Sequence, residues 1–360
     1  MITGLRRLAQ MAALTFAFAL ASCSGASEEP AAERTTFNIG WSIYAGWMPW
    51  PYADQSGIVA KWEEKYGIEI NFVQVNDYVE SVNQYTAGQL DGVTVANMDA
   101  LTIPAAGGKD TSAIIVGDYS NGNDGILLKG SDSVATLKGK SINLVELSVS
   151  HYLLARALEG ADLAMTDVNT VNTSDADIAG AFTSSDVTAA VAWNPQLTTM
   201  KQVDGANLIF SSADIPGEIV DLLVVDTALV KANPKLGKAL AGIWYETMAV
   251  MQQDSEEGQA ARAAMAKLAG ATTEMFEEQL ATTYLYAEPA AAVAATSDAA
   301  MVETMTRVRD FSYSQGLFGQ GADADAIGME FPGGKTLGDA NNITLRFDAS
   351  FMQMAADGEL

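Results

Sequence analysis

The fold of this chain is decided by residues 68–96, IEINFVQVNDYVESVNQYTAGQLDGVTVA. Residues 68–75 alternate between apolar and polar side chains, as a half-buried strand does. Residues 78–87 then place apolar side chains three and four positions apart, which predicts a helix that ends at Gly88. Residues 91–96 have the apolar pattern of a second strand. This order of elements predicts a βαβ unit with parallel strands.

The same alternation extends along the chain in both directions. Upstream, we predict a strand at 37–41 and a helix at 56–66. Downstream, a strand at 113–117 precedes a polar, turn-rich segment at 118–125, which separates the first unit from a second one. These elements predict an α/β protein with doubly wound sheets.

The second unit is predicted to alternate in the same way until the chain returns to the first. Its predicted strands are 125–128, 141–147, 168–173, 188–193 and 207–210, with a helix at 149–159 and further helices from Asp175 and Pro195. Residues 218–226 are apolar and β-branched, and they are predicted as the return strand. From there the pattern becomes helical, with predicted helices at 234–253, 256–268, 273–282 and 297–315.

The N-terminal residues have the pattern of an export signal. Arg6 and Arg7 precede an apolar run at 11–21 that is too short for a stable membrane anchor. The run ends in Leu20-Ala21-Ser22-Cys23, which resembles a bacterial lipobox. This resemblance implies that residues 1–22 are a lipoprotein signal peptide and that Cys23 is lipidated, anchoring a periplasmic protein to a membrane. The alternative is an ordinary signal peptide with an incidental cysteine.

Residues 23–36 are small, polar and acidic, and we expect them to form a disordered tether. The whole chain has a formal net charge of -25, which excludes binding to nucleic acid through its field.

The composition also argues against catalysis. Cys23 is the only cysteine and His151 the only histidine, so we expect no metal centre. The sequence has no nucleophile elbow, no P-loop and no Gly-rich dinucleotide loop. We therefore expect a chain that is not an enzyme and has no cofactor.

Four segments carry a family resemblance: 85–93 (YTAGQLDGV), 137–140 (LKGK), 151–158 (HYLLARAL) and 191–195 (VAWNP). They resemble periplasmic substrate-binding proteins of ABC importers, in the branch that binds sulfonates, taurine, nitrate and thiamine-precursor pyrimidines. The resemblance implies a two-lobed, type II periplasmic binding protein with two hinge crossovers. Lobe I would comprise residues 37–125 and 222–360, and lobe II residues 126–221. It also implies a monomer that delivers a small-molecule solute to an ABC permease and its ATPase.

Two further segments resemble a narrower group. Residues 40–50 (GWSIYAGWMPW) and 116–120 (VGDYS) are similar to binding proteins encoded beside urea or guanidine carboxylases. Glu146 also stands where sulfonate binders usually have a Gly-Ser pair. The resemblance implies guanidine or urea as the solute. Taurine, another sulfonate and a pyrimidine precursor are the alternatives within the binding class, and a pyrimidine-synthase-like enzyme that uses His151 is the alternative of another class.

Ligands of open α/β sheets bind outside the carboxyl ends of the strands, so polar and aromatic residues after strands are the candidates. They are Tyr44, Trp47, Asn97, Asp99, Asp118, Glu146, Trp193, Asn194 and Asp221. An aromatic face attracts a planar cation, and carboxylates can hydrogen-bond to its edge. The sequence leaves open that Asp99 only caps a helix, that Asp118 only stabilises a turn, and that Trp193 belongs to the core.

The lipobox interpretation predicts the effect of one substitution. Cys23→Ser removes the only thiol that could carry lipid, so we expect the variant to lose lipid labelling and to leave the membrane fraction. Metabolic labelling with a fatty-acid analogue, followed by membrane fractionation, checks this. A labelled, membrane-bound variant would contradict the interpretation.

Overall fold

The computed structural model describes residues 34–360, and the proposed signal peptide and Cys23 lie outside this range. Of the segment expected to be a tether, Thr36 already belongs to the first strand. Within the described residues, no helix combines the length and the apolar character needed to cross a bilayer.

Two β-sheets form the framework of the described chain. The first sheet consists of β1 (Thr36–Trp41), β2 (Glu69–Gln74), β3 (Gly92–Ala96), β4 (Thr111–Ser120), β10 (Val220–Asp226), β11 (Thr283–Leu285), β12 (Gly328–Phe331), β13 (Lys335–Leu337) and β14 (Ile343–Phe347). The second consists of β5 (Asp124–Lys129), β6 (Ser141–Leu144), β7 (Asn169–Asn172), β8 (Ala189–Trp193) and β9 (Ala206–Ser211). Their strand orders are β13-β12-β14-β4-β10-β3-β1-β2, with β11 beside β4, and β7-β6-β8-β5-β9.

Helices connect these strands. They are α1 (Pro49–Ser56), α2 (Ile58–Tyr66), α3 (Tyr78–Thr86), α4 (Asn97–Ala100), α5 (Val149–Gly160), α6 (Asp175–Phe182), α7 (Gln196–Lys201), α8 (Thr227–Ala232), α9 (Pro234–Met251), α10 (Glu256–Leu268), α11 (Thr273–Ala281), α12 (Pro289–Ser297), α13 (Ala299–Ser314) and α14 (Ser350–Asp357). Strand β1 pairs in parallel with both β2 and β3, and β10 returns antiparallel between β3 and β4. The predicted α/β class with doubly wound sheets and a return strand is therefore confirmed.

The structure corrects the sequence-based assignment in two regions. Residues 49–66 form two helices, because Pro49 starts α1 and Gly57, with φ of 85°, ends it before α2 begins. The region after residue 282, predicted as helical, also contains β11 to β14. These strands have three to five residues each, too few for a period-of-two pattern to be visible in the sequence.

The chain passes between the two sheets at residues 121–123 and 212–219. The two crossings are hydrogen-bonded to each other through Ser212. Its Oγ lies 2.6 Å from the Ser120 Oγ and accepts a bond from the Gly122 N–H at 2.7 Å. The first crossing lies within the turn-rich segment predicted at 118–125, and the second leads into the return strand predicted at 218–226.

A buried carboxylate on the second crossing joins helices from different parts of the fold. Glu218 accepts hydrogen bonds from the Tyr152 hydroxyl at 2.5 Å and from the Arg156 Nε at 2.8 Å, both on α5. Arg307 Nε, on α13, lies 3.5 Å from its other oxygen. Burial raises the pKa of Glu218, but the bonds from Arg156 and Tyr152 outweigh it, so the pKa lies below its usual value.

Two glutamates contact Arg156, and this network predicts that substituting them has different effects on the free energy of unfolding. Glu218→Gln should lower the free energy of unfolding by about 1–3 kcal/mol, because it leaves buried donors without a charged acceptor. Glu159→Gln, on the same arginine but exposed, should change it by no more than about 0.5 kcal/mol. Urea titration measures both values.

The Glu218→Gln effect should shrink as the pH falls through the lowered pKa of Glu218. The carboxylate of the parent protein is then protonated, and its contribution is lost. Equal effects of the two substitutions at pH 7 would contradict a stabilising role for Glu218.

Candidate functional site

A small cavity lies where the ends of strands from both sheets meet. Its volume is about 30 Å³, enough for one or two water-sized groups. Every residue that lines it is buried. The lining residues are Tyr44, Trp47, Tyr78, Ala96, Asp124, Val149, Trp193, Ile219 and Asp221.

Four aromatic rings form a continuous wall around this cavity. The ring centroids of Tyr44 and Trp47 are 5.1 Å apart, those of Trp47 and Tyr78 are 5.7 Å apart, and those of Tyr78 and Trp193 are 5.7 Å apart. Their π faces are negative, so the wall suits a cation or a flat group with polarised N–H bonds.

Tyr44 precedes a 3₁₀ turn, Ala45–Trp47, that follows β1, and Trp47 is the last residue of this turn. Gly46 at its centre lies so close to Asp118 that a Cβ atom there would collide with the carboxylate Oδ2. The glycine therefore allows the turn to pack directly onto a buried acid.

Strand pairing brings the acidic side chains to this edge. Asp221 on β10 is opposite Asp118 on β4 and Ala96 on β3, while Asp124 on β5 is opposite Trp193 on β8. The Tyr44 hydroxyl donates to Asp118 Oδ1 at 3.4 Å. The Ser120 hydroxyl donates to Asp124 Oδ2 at 2.5 Å.

These carboxyl groups have no cationic partner among residues 34–360: Asp118, Asp124 and Asp221 form no ion pair with Lys, Arg or His. No group of three potential metal ligands with suitable geometry occurs in the same range. Burial raises the pKa of Asp118 to about 7 and that of Asp124 to about 6. Burial, followed by the charge of Asp118, holds the pKa of Asp221 well above its usual value. A bound cation would reverse these shifts.

Asp99 lies one layer behind the cavity. It accepts a hydrogen bond from the Tyr78 hydroxyl at 2.5 Å, and burial raises its pKa to about 7. It lies within the first turn of α4, and its side chain makes no capping bond, so the helix-cap alternative is wrong.

The structure places the nine candidate residues in three groups. Tyr44, Trp47, Trp193 and Asp221 line the cavity. Asp118 and Asp99 contact its tyrosines from behind. Asn97, Asn194 and Glu146 lie outside it, each with other partners in the structure.

Those partners are as follows. Asn97 Nδ2 donates to the Glu218 carbonyl at 3.0 Å. Asn194 Oδ1 accepts from the Thr198 N–H at 2.9 Å, next to the start of α7. Glu146 accepts from the Thr170 hydroxyl and lines a separate groove that it shares with Asp99.

Sequence reasoning missed Tyr78 and Asp124. Tyr78 is the first residue of α3, which follows β2, and Asp77 caps that helix. The rule that selected residues after strands would have found it. Asp124 begins β5, and it reaches this edge because β5 runs antiparallel to β8.

The sequence profile of the family described as NMT1/THI5 like matches residues 61–257, more than half of the chain. The chain belongs to the NMT1/THI5-like family. Proteins of Brucella abortus, Brucella suis and Brucella melitensis, named only as candidate binding proteins, are each 27% identical to it over 186 residues. The match covers 51% of this chain, and the chain spans 57% of the length of these relatives.

Solved structures show the same fold in this NMT1/THI5-like chain. The alkanesulfonate-binding protein SsuA of Xanthomonas axonopodis pv. citri, bound to MOPS, has a TM-score of 0.67 at 19% identity and covers 88% of this chain and 100% of its own. The periplasmic aliphatic sulphonate binding protein SsuA of Escherichia coli has a TM-score of 0.66 at 20% identity, with coverage of 81% and 96%.

The periplasmic nitrate-binding protein NrtA of Synechocystis PCC 6803 has a TM-score of 0.57 at 14% identity, with coverage of 91% and 99%. The periplasmic binding protein fold expected from the sequence is confirmed. These are names of binding proteins rather than of enzymes, in agreement with the expectation that this chain is not an enzyme.

The buried acids predict an inverse relation between stability and pH in the solute-free protein. A raised carboxyl pKa means that the folded state holds protons that the unfolded state has lost, so stability should fall as the pH rises from about 4 to 7. Asp221→Asn removes one of these acids. It should raise the melting temperature at pH 8 and make the decline shallower.

Asp186→Asn, at an exposed position, is the matched control. Thermal unfolding from pH 5 to 8 compares the two variants with the parent protein. A lower melting temperature of Asp221→Asn at pH 8 would mean that the Asp221 charge has a partner that offsets its burial.

Proposed function

We propose that this protein is a periplasmic solute-binding protein that captures a small, planar, nitrogen-rich cation of the guanidinium class for an ABC importer. The observation that carries the proposal is the cavity lined by four aromatic rings and by the acids Asp124 and Asp221. Such a cavity is small, flat-walled and negatively charged when its acids ionise.

A guanidinium ion would match the chemistry of the residues that line this cavity in two ways. Its flat face can lie against an indole or phenol ring, where the ring quadrupole attracts the charge. Its N–H groups can donate paired hydrogen bonds to a carboxylate. Urea has the same shape but no charge, so it would gain less from Asp124 and Asp221.

The second candidate is a sulfonate, since the names of the SsuA structures refer to sulfonates. An anion in this cavity would lie against Asp124 and Asp221 with no cation to offset them. Burying charge in that environment costs several kcal/mol, on the order of a thousandfold or more in affinity. The aromatic walls would also suit a pyrimidine precursor, which belongs in the same titration.

Delivery would follow from closure of two lobes, residues 37–125 with 222–360 and residues 126–221, about the two crossings. Lipid at Cys23 would hold the monomeric receptor at the membrane, near the permease and its ATPase. The permease would then recognise the closed, loaded form.

The proposal predicts an order of affinities. Isothermal titration calorimetry of the mature protein should show guanidinium binding more tightly than urea, and both far more tightly than taurine. Asp221→Asn should weaken guanidinium binding by at least about tenfold and urea binding by less, because it removes charge and keeps the shape.

Glu146→Gln is the matched control, because it removes the same charge outside the cavity. It should leave both affinities within about twofold. Tight taurine binding that Asp221→Asn does not weaken would support the sulfonate alternative instead.

A further inference from the structure

A smaller void lies next to the aromatic wall of the first cavity. Its volume is about 10 Å³, at the lower limit for one water molecule. Trp47 and Asp221 line both spaces, so a single layer of side chains separates them. Trp244 of α9 and Thr94 of β3 line only the smaller void.

Four residues that line this void each carry a buried polar atom without a hydrogen-bond partner in residues 34–360. The atoms are Trp47 Nε1, Thr94 Oγ1, Asp118 Oδ2 and Trp244 Nε1. None of the four residues is more than 6% exposed. Buried polar atoms without partners are rare, so four of them around one void need a common explanation.

We propose that one ordered water molecule binds in this void and hydrogen-bonds to all four atoms. The four atoms match the two donors and two acceptors of a water molecule. The two indole N–H groups can only donate, the carboxylate oxygen can accept, and the threonine hydroxyl can do either. A water that accepts from Trp47 and Trp244 and donates to Asp118 and Thr94 uses its full capacity of four bonds.

Other occupants fit less well. A metal or ammonium cation would face the positive ends of two indole N–H bonds. An anion would lie against Asp118 and Asp221. Asp118 also shares a side-chain hydrogen bond with Asp221. A carboxylate has about four acceptor sites, so Asp118 can accept from the water as well.

The water would position Trp47, which lines the solute cavity, and Asp118, which contacts the cavity residue Tyr44 from behind. It would hold the Trp47 indole, which is part of the aromatic wall, at a fixed tilt. It would also fix the Asp118 carboxylate, which accepts the hydroxyl of Tyr44. Thr94 is therefore a positioning residue, with no contact to the solute cavity itself.

A pair of isosteric substitutions tests the proposal through the sign of a melting-temperature shift. Thr344 is a matched control: it lies on β14 of the same sheet, is buried, also has a hydroxyl without a partner in the described residues, and does not line this void. Thr344→Val removes an unpaired buried hydroxyl, so it should leave the melting temperature unchanged or raise it.

Thr94→Val should lower the melting temperature by roughly 2 °C, because it removes one of the water's four partners. If the Thr94 hydroxyl were truly unpaired, this substitution would shift the melting temperature in the same direction as Thr344→Val, and the proposal would fall. The measurement needs no solute, so its outcome is independent of whether guanidinium binds.

A crystal structure of the solute-free protein at about 1.5 Å provides the second test. The proposal expects one density peak in the void with contacts of roughly 2.7–3.2 Å to the four atoms. A void without density, or side chains rotated so that the four atoms bond to protein groups, would overturn it.

Discussion

Negative charge buried without a compensating cation is the constraint on which the rest of this structure depends. The antiparallel strand β10 lies between β3 and β4 and places Asp221 directly opposite Asp118. Two acids so placed cannot both ionise at low cost, so the site retains protons at a pH where other aspartates have lost theirs. The surrounding apolar packing must offset this cost, and the Trp50 ring, 4.9 Å from Trp244 and 5.3 Å from Phe72, belongs to that packing.

Another buried acid of the same chain is neutralised by cationic side chains. Glu218 has Arg156 and Arg307 beside it and a lowered pKa. Asp124 and Asp221, which line the aromatic cavity, have neither an arginine beside them nor a lowered pKa. This contrast within one protein argues that the unpaired charge of the cavity is a local property rather than a result of the acidic composition.

Much of the framework could be predicted from the sequence, because parallel strands and amphipathic helices leave clear periodicities. Tyr44, Trp47, Trp193 and Asp221 were found because they lie near strand ends. Asn97, Asn194 and Glu146 satisfy the same rule but point elsewhere, and sequence position carries no information on side-chain direction. Asp124 reaches the cavity from the start of an antiparallel strand, a pairing that depends on the tertiary fold. The pairing of the short strands β12 to β14 also depends on the tertiary fold.

The hydroxyl of Ser120, at the end of β4, is hydrogen-bonded to that of Ser212, at the start of the second crossing. Two separate linkers would allow one sheet to slide, twist and tilt against the other. Two linkers that are hydrogen-bonded to each other allow mainly rotation about one axis. A relative motion of the two sheets that preserves this bond would therefore keep the two crossings side by side.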